Sequence, residues 1–157
     1  MRNRWLAVGV LCIGLVAVPG STRGDVTHIM VKPGDLTWSN VPPAMPAGAQ
    51  IVWIEGKPAD AAPFTFRLKL PANYRIAPHW HPAIEHVTVL SGSFNIGMGE
   101  RLDPQKVETF PAGSFVALPP KTAHFVMNKE AAVLQVHGVG PWALTYVNPE
   151  DDPRNKR

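Results

Sequence analysis

The stretch Pro78-His79-Trp80-His81-Pro82-Ala83-Ile84-Glu85 carries two histidines and a glutamate in one short segment. On an extended strand, side chains two residues apart point to the same side, so His79 and His81 should project together while Trp80 points away. Two imidazoles on one face supply half of a metal site, and Glu85 follows four residues after His81. A His-x-His pair alone is a weak signal, because two histidines on a strand are more often a surface coincidence than a ligand pair.

A third histidine that could bind the same metal ion lies further along the chain. His124 begins a predicted strand shortly after the Pro119-Pro120 turn. Three neutral imidazole nitrogens and one carboxylate suit Fe, Mn, Zn, Ni or Cu, whereas Ca and Mg prefer mostly oxygen ligands. Such a set would bring one negative charge to a divalent cation and leave the site net positive. Anionic or enolisable ligands, or dioxygen, could then occupy the open coordination positions.

The rest of the chain is typical of short strands joined by turns. Residues 64–70 alternate strictly, with Phe64, Phe66, Leu68 and Leu70 on one face. Further candidate strands, separated by Pro, Gly or Asn turns, are residues 51–54, 86–90, 93–98, 114–118, 124–127 and 132–139. The 17 prolines leave few gaps for long helices. This spacing predicts an all-β sandwich or barrel.

Both histidine segments resemble the two sequence motifs of the cupin superfamily. The first motif reads Gly, five residues, His-x-His, three or four residues, Glu, six residues, Gly. It is matched here by His79, His81, Glu85 and Gly92, with Asn73 in place of the leading Gly. The second reads Gly, five residues, Pro-x-Gly, two residues, His, three residues, Asn, and is matched by Gly113, Pro119, His124 and Asn128, with Lys121 in place of the inner Gly. The resemblance spans about residues 64 to 139.

The resemblance implies an RmlC-like jelly roll, also called a double-stranded β-helix, of six to eight strands. It implies a metal in the concave interior, held by His79, His81, Glu85 and His124. If Glu85 binds the metal only loosely, it is also the obvious catalytic general base. Asn73 is a suitable turn residue where positive φ is required. The family includes dioxygenases, decarboxylases, isomerases, sugar-binding modules and storage proteins, so the fold does not give the function.

These observations favour a metal-dependent enzyme that acts on a small organic molecule, a dioxygenase or a related lyase. One alternative is a non-catalytic module that binds or senses a sugar, a small ligand or a metal complex in the same pocket. Another is a metal-free structural jelly roll, which the complete ligand set argues against. Covalent hydrolysis has little support, because the chain after Gly24 has no cysteine and no Gly-x-Ser-x-Gly.

Four further side chains are candidates for the pocket around the metal. Gln135 and His137 alternate on one predicted strand and could hold a ligand or a substrate oxygen, although His137 fits equally well as a hydrogen-bonded histidine in or near the core. Arg67 would bind a substrate carboxylate if its strand face looked inward, but a solvated face is favoured. Trp142 either rims the pocket or supports a dimer contact. His86, adjacent to Glu85, should point to the opposite side of its strand.

The first 24 residues predict an export signal. Two arginines precede an apolar run over residues 5–18, which ends at Pro19-Gly20-Ser21. At about 14 residues the run is short for a membrane-spanning helix, which needs roughly 20. Cys12 lies inside the run and lacks the context of a lipidation site, so no stable membrane anchor is expected. Cleavage after Gly20 or Gly24 would give a secreted or periplasmic protein.

The charge balance then removes the case for a nucleic-acid partner. The whole chain has 15 Lys and Arg against 12 Asp and Glu. Cleavage after Gly24 removes three arginines and no acidic residue, which leaves 12 against 12. The remaining chain would be a single domain over residues 25–148, with a charged tail over residues 149–157. Its expected partners are a small molecule and, by resemblance, a second copy in a homodimer.

Overall fold

The computed structural model describes residues 28–156, which form two antiparallel β-sheets. The predicted export signal and Cys12 lie outside the described residues. Within residues 28–156, no helix is both long enough and apolar enough to cross a bilayer.

Ten strands and four one-turn 3-10 helices make up the described part of the chain. The strands are β1 Ser39–Asn40, β2 Gln50–Glu55, β3 Pro63–Leu70, β4 Arg75–Trp80, β5 Glu85–Met98, β6 Val107–Pro111, β7 Phe115–Leu118, β8 His124–Met127, β9 Ala132–Val139 and β10 Thr145–Tyr146. The helices are Pro33–Asp35, Pro104–Lys106, Pro149–Asp151 and Pro153–Asn155. Each helix begins with a proline, whose fixed φ suits the first helical position and whose missing N–H is not needed there.

Both sheets share the long strand β5. The larger sheet has the order β1-β2-β3-β9-β5-β7, and the smaller has the order β10-β4-β8-β5-β6. Every pairing is antiparallel, and the first part of β5 pairs with β7 and β9 while its second part pairs with β6 and β8. This arrangement confirms the all-β jelly roll predicted from the sequence.

One predicted turn is instead a bulge within β5. The sequence suggests that Ser91 and Gly92 separate two strands, but the pairing with β9 continues past them after a register shift between Val89 and Ser91. Gly92 has φ 70°, and a Cβ there would collide with the carbonyl of Ala131. Glycine therefore allows β5 to bend sharply, and one continuous strand passes from the larger sheet to the smaller.

Alternation decides which side chains enter the core between the sheets. On β3, the predicted apolar face is buried, and its residues are Phe64, Phe66, Leu68 and Leu70. Leu134 and Val136 of β9 face the same interior. The core is thus built from inward residues of the larger sheet packed against inward residues of the smaller one.

Four strands, β1, β4, β6 and β10, are not among the strands that the sequence predicts. β4 contains Pro78, and a proline argues against a central strand because it cannot donate a ladder hydrogen bond. The pairing of β4 with β8 is accordingly irregular between Ile76 and His79. β10 spans only two residues, which is too short for any periodicity to be visible.

Two turns adopt the left-handed conformation at residues other than glycine. Asn73 has φ 62° and Lys121 has φ 61°. These are the two positions where the motifs described above usually carry glycine. Asparagine tolerates this conformation, as expected, whereas lysine gains nothing from its side chain that offsets the strain.

Candidate metal centre

Three strand ends bring three histidines and a glutamate together. His79 lies near the end of β4 and pairs with His124 at the start of β8, while His81 follows β4 directly and Glu85 begins β5. All four side chains are buried. The ring centroids of His79 and His124 are 4.2 Å apart, and that of His81 lies 5.1 Å from His79 and 5.2 Å from His124. The structure thus brings the three histidines together, with Glu85 beside His81 and His124.

Backbone carbonyls determine which ring nitrogen of each histidine carries the proton. Each Nδ1 lies 2.8–2.9 Å from a main-chain oxygen, which can only accept a hydrogen bond. The three carbonyls belong to Ala77 for His79, Ala143 for His81 and Thr122 for His124. Each Nδ1 therefore donates, and each Nε2 presents a lone pair, which is the state that binds a metal.

Burial favours the neutral form of the His79 and His124 imidazoles. For His79, burial lowers the pKa well below 6.5, and the neighbouring His124 and His81 lower it further. For His124, burial also lowers the pKa, although the negative charge of Glu85 partly opposes this. Neutral rings at neutral pH keep their Nε2 lone pairs available for a cation.

Glu85 supplies the negative charge of the group. Its Oε2 lies 3.4 Å from Nε2 of His81 and 3.6 Å from Nε2 of His124. Burial alone would raise the pKa of Glu85, but when a neighbouring histidine carries a proton, the charge and hydrogen bond of His81, followed by the charges of His124 and His79, lower the pKa to about 2. Beside a positive charge, whether a protonated ring or a metal ion, this carboxylate stays ionised and can act as a ligand.

The donor set fits a divalent transition metal. Nε2 of His81 is buried and has no hydrogen-bond partner among the described residues. Three lone pairs and a carboxylate without a matching donor repel one another unless a cation lies between them. The three histidines can hold such an ion, since their ligand atoms all lie within 4.8 Å of one another.

The four residues line one end of a cavity of about 330 Å³ between the sheets. Trp142 lies there too, with its ring stacked on that of His81 at 4.1 Å and an interplanar angle of 18°. The segment before it is held close to the loop after β2, because Trp142 N donates to Pro58 O at 2.6 Å and Gly140 N donates to Ala62 O at 3.0 Å. Trp142 therefore belongs to the pocket and restrains the ring of His81.

Three of the predicted pocket residues lie on the other face of the larger sheet. Arg67 Nε donates to Gln135 Oε1 at 3.0 Å, and His137 stacks on His86 at 5.0 Å. These side chains alternate with inward-facing residues such as Leu134 that line the cavity. The suggestion that Gln135 and His137 line the pocket is corrected accordingly, whereas Arg67 lies on the outer face that was favoured for it and His86 points away from Glu85 as expected.

Sequence reasoning missed two features of the site. The Ala143 carbonyl that orients His81 lies far along the chain, and no residue pattern marks it. Asn128, an anchor of the second motif, is also buried away from the metal ligands: its Oδ1 accepts from Asn95 N at 2.9 Å and its Nδ2 donates to Glu130 O at 3.0 Å. Asn128 therefore supports the strand that carries His124.

Comparisons with known proteins agree with this architecture. A family model described as the ChrR cupin-like domain matches residues 26–143. No curated protein shows significant sequence similarity to the chain.

Similar solved structures share the fold at low sequence identity. The polyketide cyclase RemF from Streptomyces resistomycificus superposes with a TM-score of 0.67 at 16% identity, covering 81% of this chain and 90% of that one. A putative acetylacetone dioxygenase from Methylibium petroleiphilum PM1 gives a TM-score of 0.63 at 17% identity, covering 83% and 88%. The DMSP lyase DddQ from Ruegeria pomeroyi DSS-3 gives 0.58 at 18% identity, covering 73% and 62%. Their names describe three different reactions, so the likeness shows the fold alone.

Proposed function

The chain belongs to the ChrR cupin-like family, and from this premise we propose that it is a metal-dependent enzyme acting on a small organic molecule, a dioxygenase or a related lyase. The observation that carries the proposal is the donor set at the end of the cavity. Three Nε2 lone pairs and one ionised carboxylate converge there, in a space large enough to admit a second molecule beside a metal ion.

In this proposal His79, His81, His124 and Glu85 hold the ion. Imidazole and carboxylate ligands suit Fe, Mn, Zn, Ni or Cu, and one carboxylate leaves a divalent ion with net positive charge. When bound, the ion would supply a Lewis acid that polarises an oxygen of the substrate.

Other groups of the protein orient the histidine rings and provide an apolar environment around them. The carbonyls of Ala77, Ala143 and Thr122 hold each imidazole in one tautomer and one direction. The stacked Trp142 ring prevents His81 from turning away. The apolar walls of the cavity lower the local dielectric constant, which strengthens electrostatic interactions near the ligands.

Metal content is the first test of this function. We expect protein purified from its native compartment to contain close to one equivalent of a transition metal, or to take one up on reconstitution. Less than about a tenth of an equivalent, with no uptake, would refute the metal-dependent function.

Catalysis needs a separate test, because a binding module could use the same donor set. Oxygen consumption by the Fe(II)-loaded protein should be followed over a panel of diols, thiols and β-diketones, with product analysis for non-oxidative cleavage. The His124→Ala variant is the matched control, since it lacks one proposed ligand. Turnover in the wild-type protein alone supports an enzyme, and turnover with none of the panel would favour the binding module.

Export and dimerisation complete the proposal. The basic start, apolar run and Pro-Gly exit before Asp25 support export, and the mass of the purified protein would show whether cleavage follows Gly20 or Gly24. The exposed Phe115 and Val139, each 56% accessible on the larger sheet, support a homodimer. Light scattering during size-exclusion chromatography would measure its mass.

A further inference from the structure

The cavity is lined mostly by apolar side chains. Side chains from both sheets form its apolar wall, among them Phe66, Leu68 and Leu134 of the larger sheet and Ile76 and Val126 of the smaller. Among the described residues, no Ser, Thr, Asn, Gln or Tyr side chain lines it. The side chains with hydrogen-bonding groups that do line it are the three histidines, Glu85, Trp53, Trp142 and Arg154.

Among residues 28–156, a single Lys or Arg side chain lines the cavity, and it is already paired with a carboxylate. Arg154 lines the cavity, but its Nε donates to both carboxylate oxygens of Asp152, at 2.8 and 3.0 Å, and its Nη2 donates to the same carboxylate. Arg67, which could have bound a carboxylate, faces out of the sheet. Within residues 28–156, the cavity wall thus offers no unpaired cation to a negatively charged group at its far end.

A free donor lies beside the histidines. The indole Nε1–H of Trp142 is buried and has no hydrogen-bond partner among the described residues. Its ring is stacked on His81, so this donor lies beside the proposed metal ligands. A buried N–H without a partner is costly, and an oxygen atom of a bound molecule would satisfy it.

From these three observations we infer that the cavity selects a mostly hydrocarbon molecule with a single oxygen function, a carbonyl or an enol, placed at the end of His81 and Trp142. Apolar surface buried against the wall provides the affinity. A sugar is rejected because each of its other hydroxyls would lose a water hydrogen bond and find no partner. A molecule with a carboxylate at its far end is rejected because a buried charge needs a partner. The inference rests on the proposed function only for the use made of that oxygen.

Three six-membered rings test this selection in the metal-free protein. The probes are 4-tert-butylcyclohexanone, 4-oxocyclohexanecarboxylate and glucose, titrated by calorimetry. The first two share the ketone and differ only in the group at the opposite end. We expect the tert-butyl ketone to bind at least tenfold more tightly than either of the others. Similar affinity for the keto acid or for glucose would overturn the inference, as would no binding of any probe.

A pair of loop variants locates the binding. Ala59 lines the cavity and is exposed, so it lies at the opening, whereas Ala61 is exposed in the same loop and does not line it. Ala59→Trp should weaken binding of the tert-butyl ketone at least tenfold and Ala61→Trp should leave it unchanged. Equal effects of the two variants would show that the ketone binds elsewhere.

The design separates this inference from the proposed function. Ketone binding is measured without metal, and metal uptake is measured without ketone. Selective ketone binding together with no metal uptake would refute the metal-dependent function and leave the cavity selectivity standing. Metal uptake without selectivity among the three probes would refute the cavity selectivity and leave the metal-dependent function standing.

Discussion

Replacing His124 with Ala should remove most of the stabilisation that a metal ion gives the folded protein. His124 is 2% exposed. The centroid of its ring is 4.2 Å from that of His79, which is the shortest distance between two rings of the triad. Its Nδ1 is held by the Thr122 carbonyl, so its Nε2 is directed at the centre of the group. Removal of this ring takes away one of four proposed ligands and leaves the remaining three in place.

The size of the effect follows from linkage. An ion present at 100 times its Kd stabilises the folded state by about 2.7 kcal/mol. For a chain of this length the Tm rises by roughly 2–4 °C per kcal/mol, which corresponds to about 5–11 °C. Loss of a residue that only hydrogen-bonds to a metal ligand typically weakens metal binding 10–100-fold. Loss of a ligand itself should therefore weaken metal binding about 100-fold or more. At the same ion concentration a 100-fold weaker Kd leaves only about 0.4 kcal/mol, or roughly 1–2 °C.

The assay is thermal unfolding of each variant with and without Zn²⁺, an ion that undergoes no redox change. Each variant serves as its own metal-free reference, so any general destabilisation by the substitution cancels. His137→Ala is the matched control, because His137 is a histidine on the outer face of the larger sheet. A full Zn²⁺-induced shift in His124→Ala, or loss of the shift in His137→Ala, would refute this assignment of the ligands.

Three further predictions concern the metal-free protein. Its free energy of unfolding should fall between pH 7 and pH 5, because burial lowers the pKa values of His79 and His124 below 6.5 and the unfolded chain therefore takes up protons first. Urea unfolding at both pH values measures this free energy. Equal stabilities at pH 7 and pH 5 would contradict the prediction. Lys121→Gly should stabilise the folded protein by about 0.5–1 kcal/mol, because glycine adopts the left-handed φ of 61° without strain. Lys129→Gly, at an exposed position without positive φ, should destabilise the folded protein. Higher stability in both variants would exclude the explanation from φ. Asn128→Ala should destabilise by about 2–4 kcal/mol, because it removes two hydrogen bonds and leaves a buried N–H unpaired; a normal Zn²⁺-induced shift in this variant would show that the residue supports the fold and not the ion.

Local spacing is sufficient for much of what the sequence predicts. The period of two on an extended chain places His79 and His81 on one side, and the same rule places Leu68 inside. Strands β3, β8 and β9 were predicted to within a residue for this reason. The sequence also predicts the turns from their Pro, Gly and Asn residues, but Ser91 and Gly92 form a bulge within β5 and not a turn. A glycine with positive φ occurs in both turns and bulges, so the sequence does not distinguish them.

Which face of a strand looks inward is a different kind of question. Periodicity divides β9 into two faces, but only the packing of the two sheets shows that Leu134 lies in the cavity wall and that Gln135 binds Arg67 outside it. Strand β4 and the two-residue β10 were missed because a proline and a short length hide them from local rules.

By itself, then, the sequence determined the ligand residues to propose and the class of fold, because both depend on spacing along a few neighbouring residues. The tertiary structure alone decided that Ala143 orients His81, that Trp142 covers it and that the cavity wall is apolar around a neutralised Arg154. These contacts join residues from distant parts of the chain. Their partners are chosen by how the sheets close on each other, and no local pattern encodes that closure.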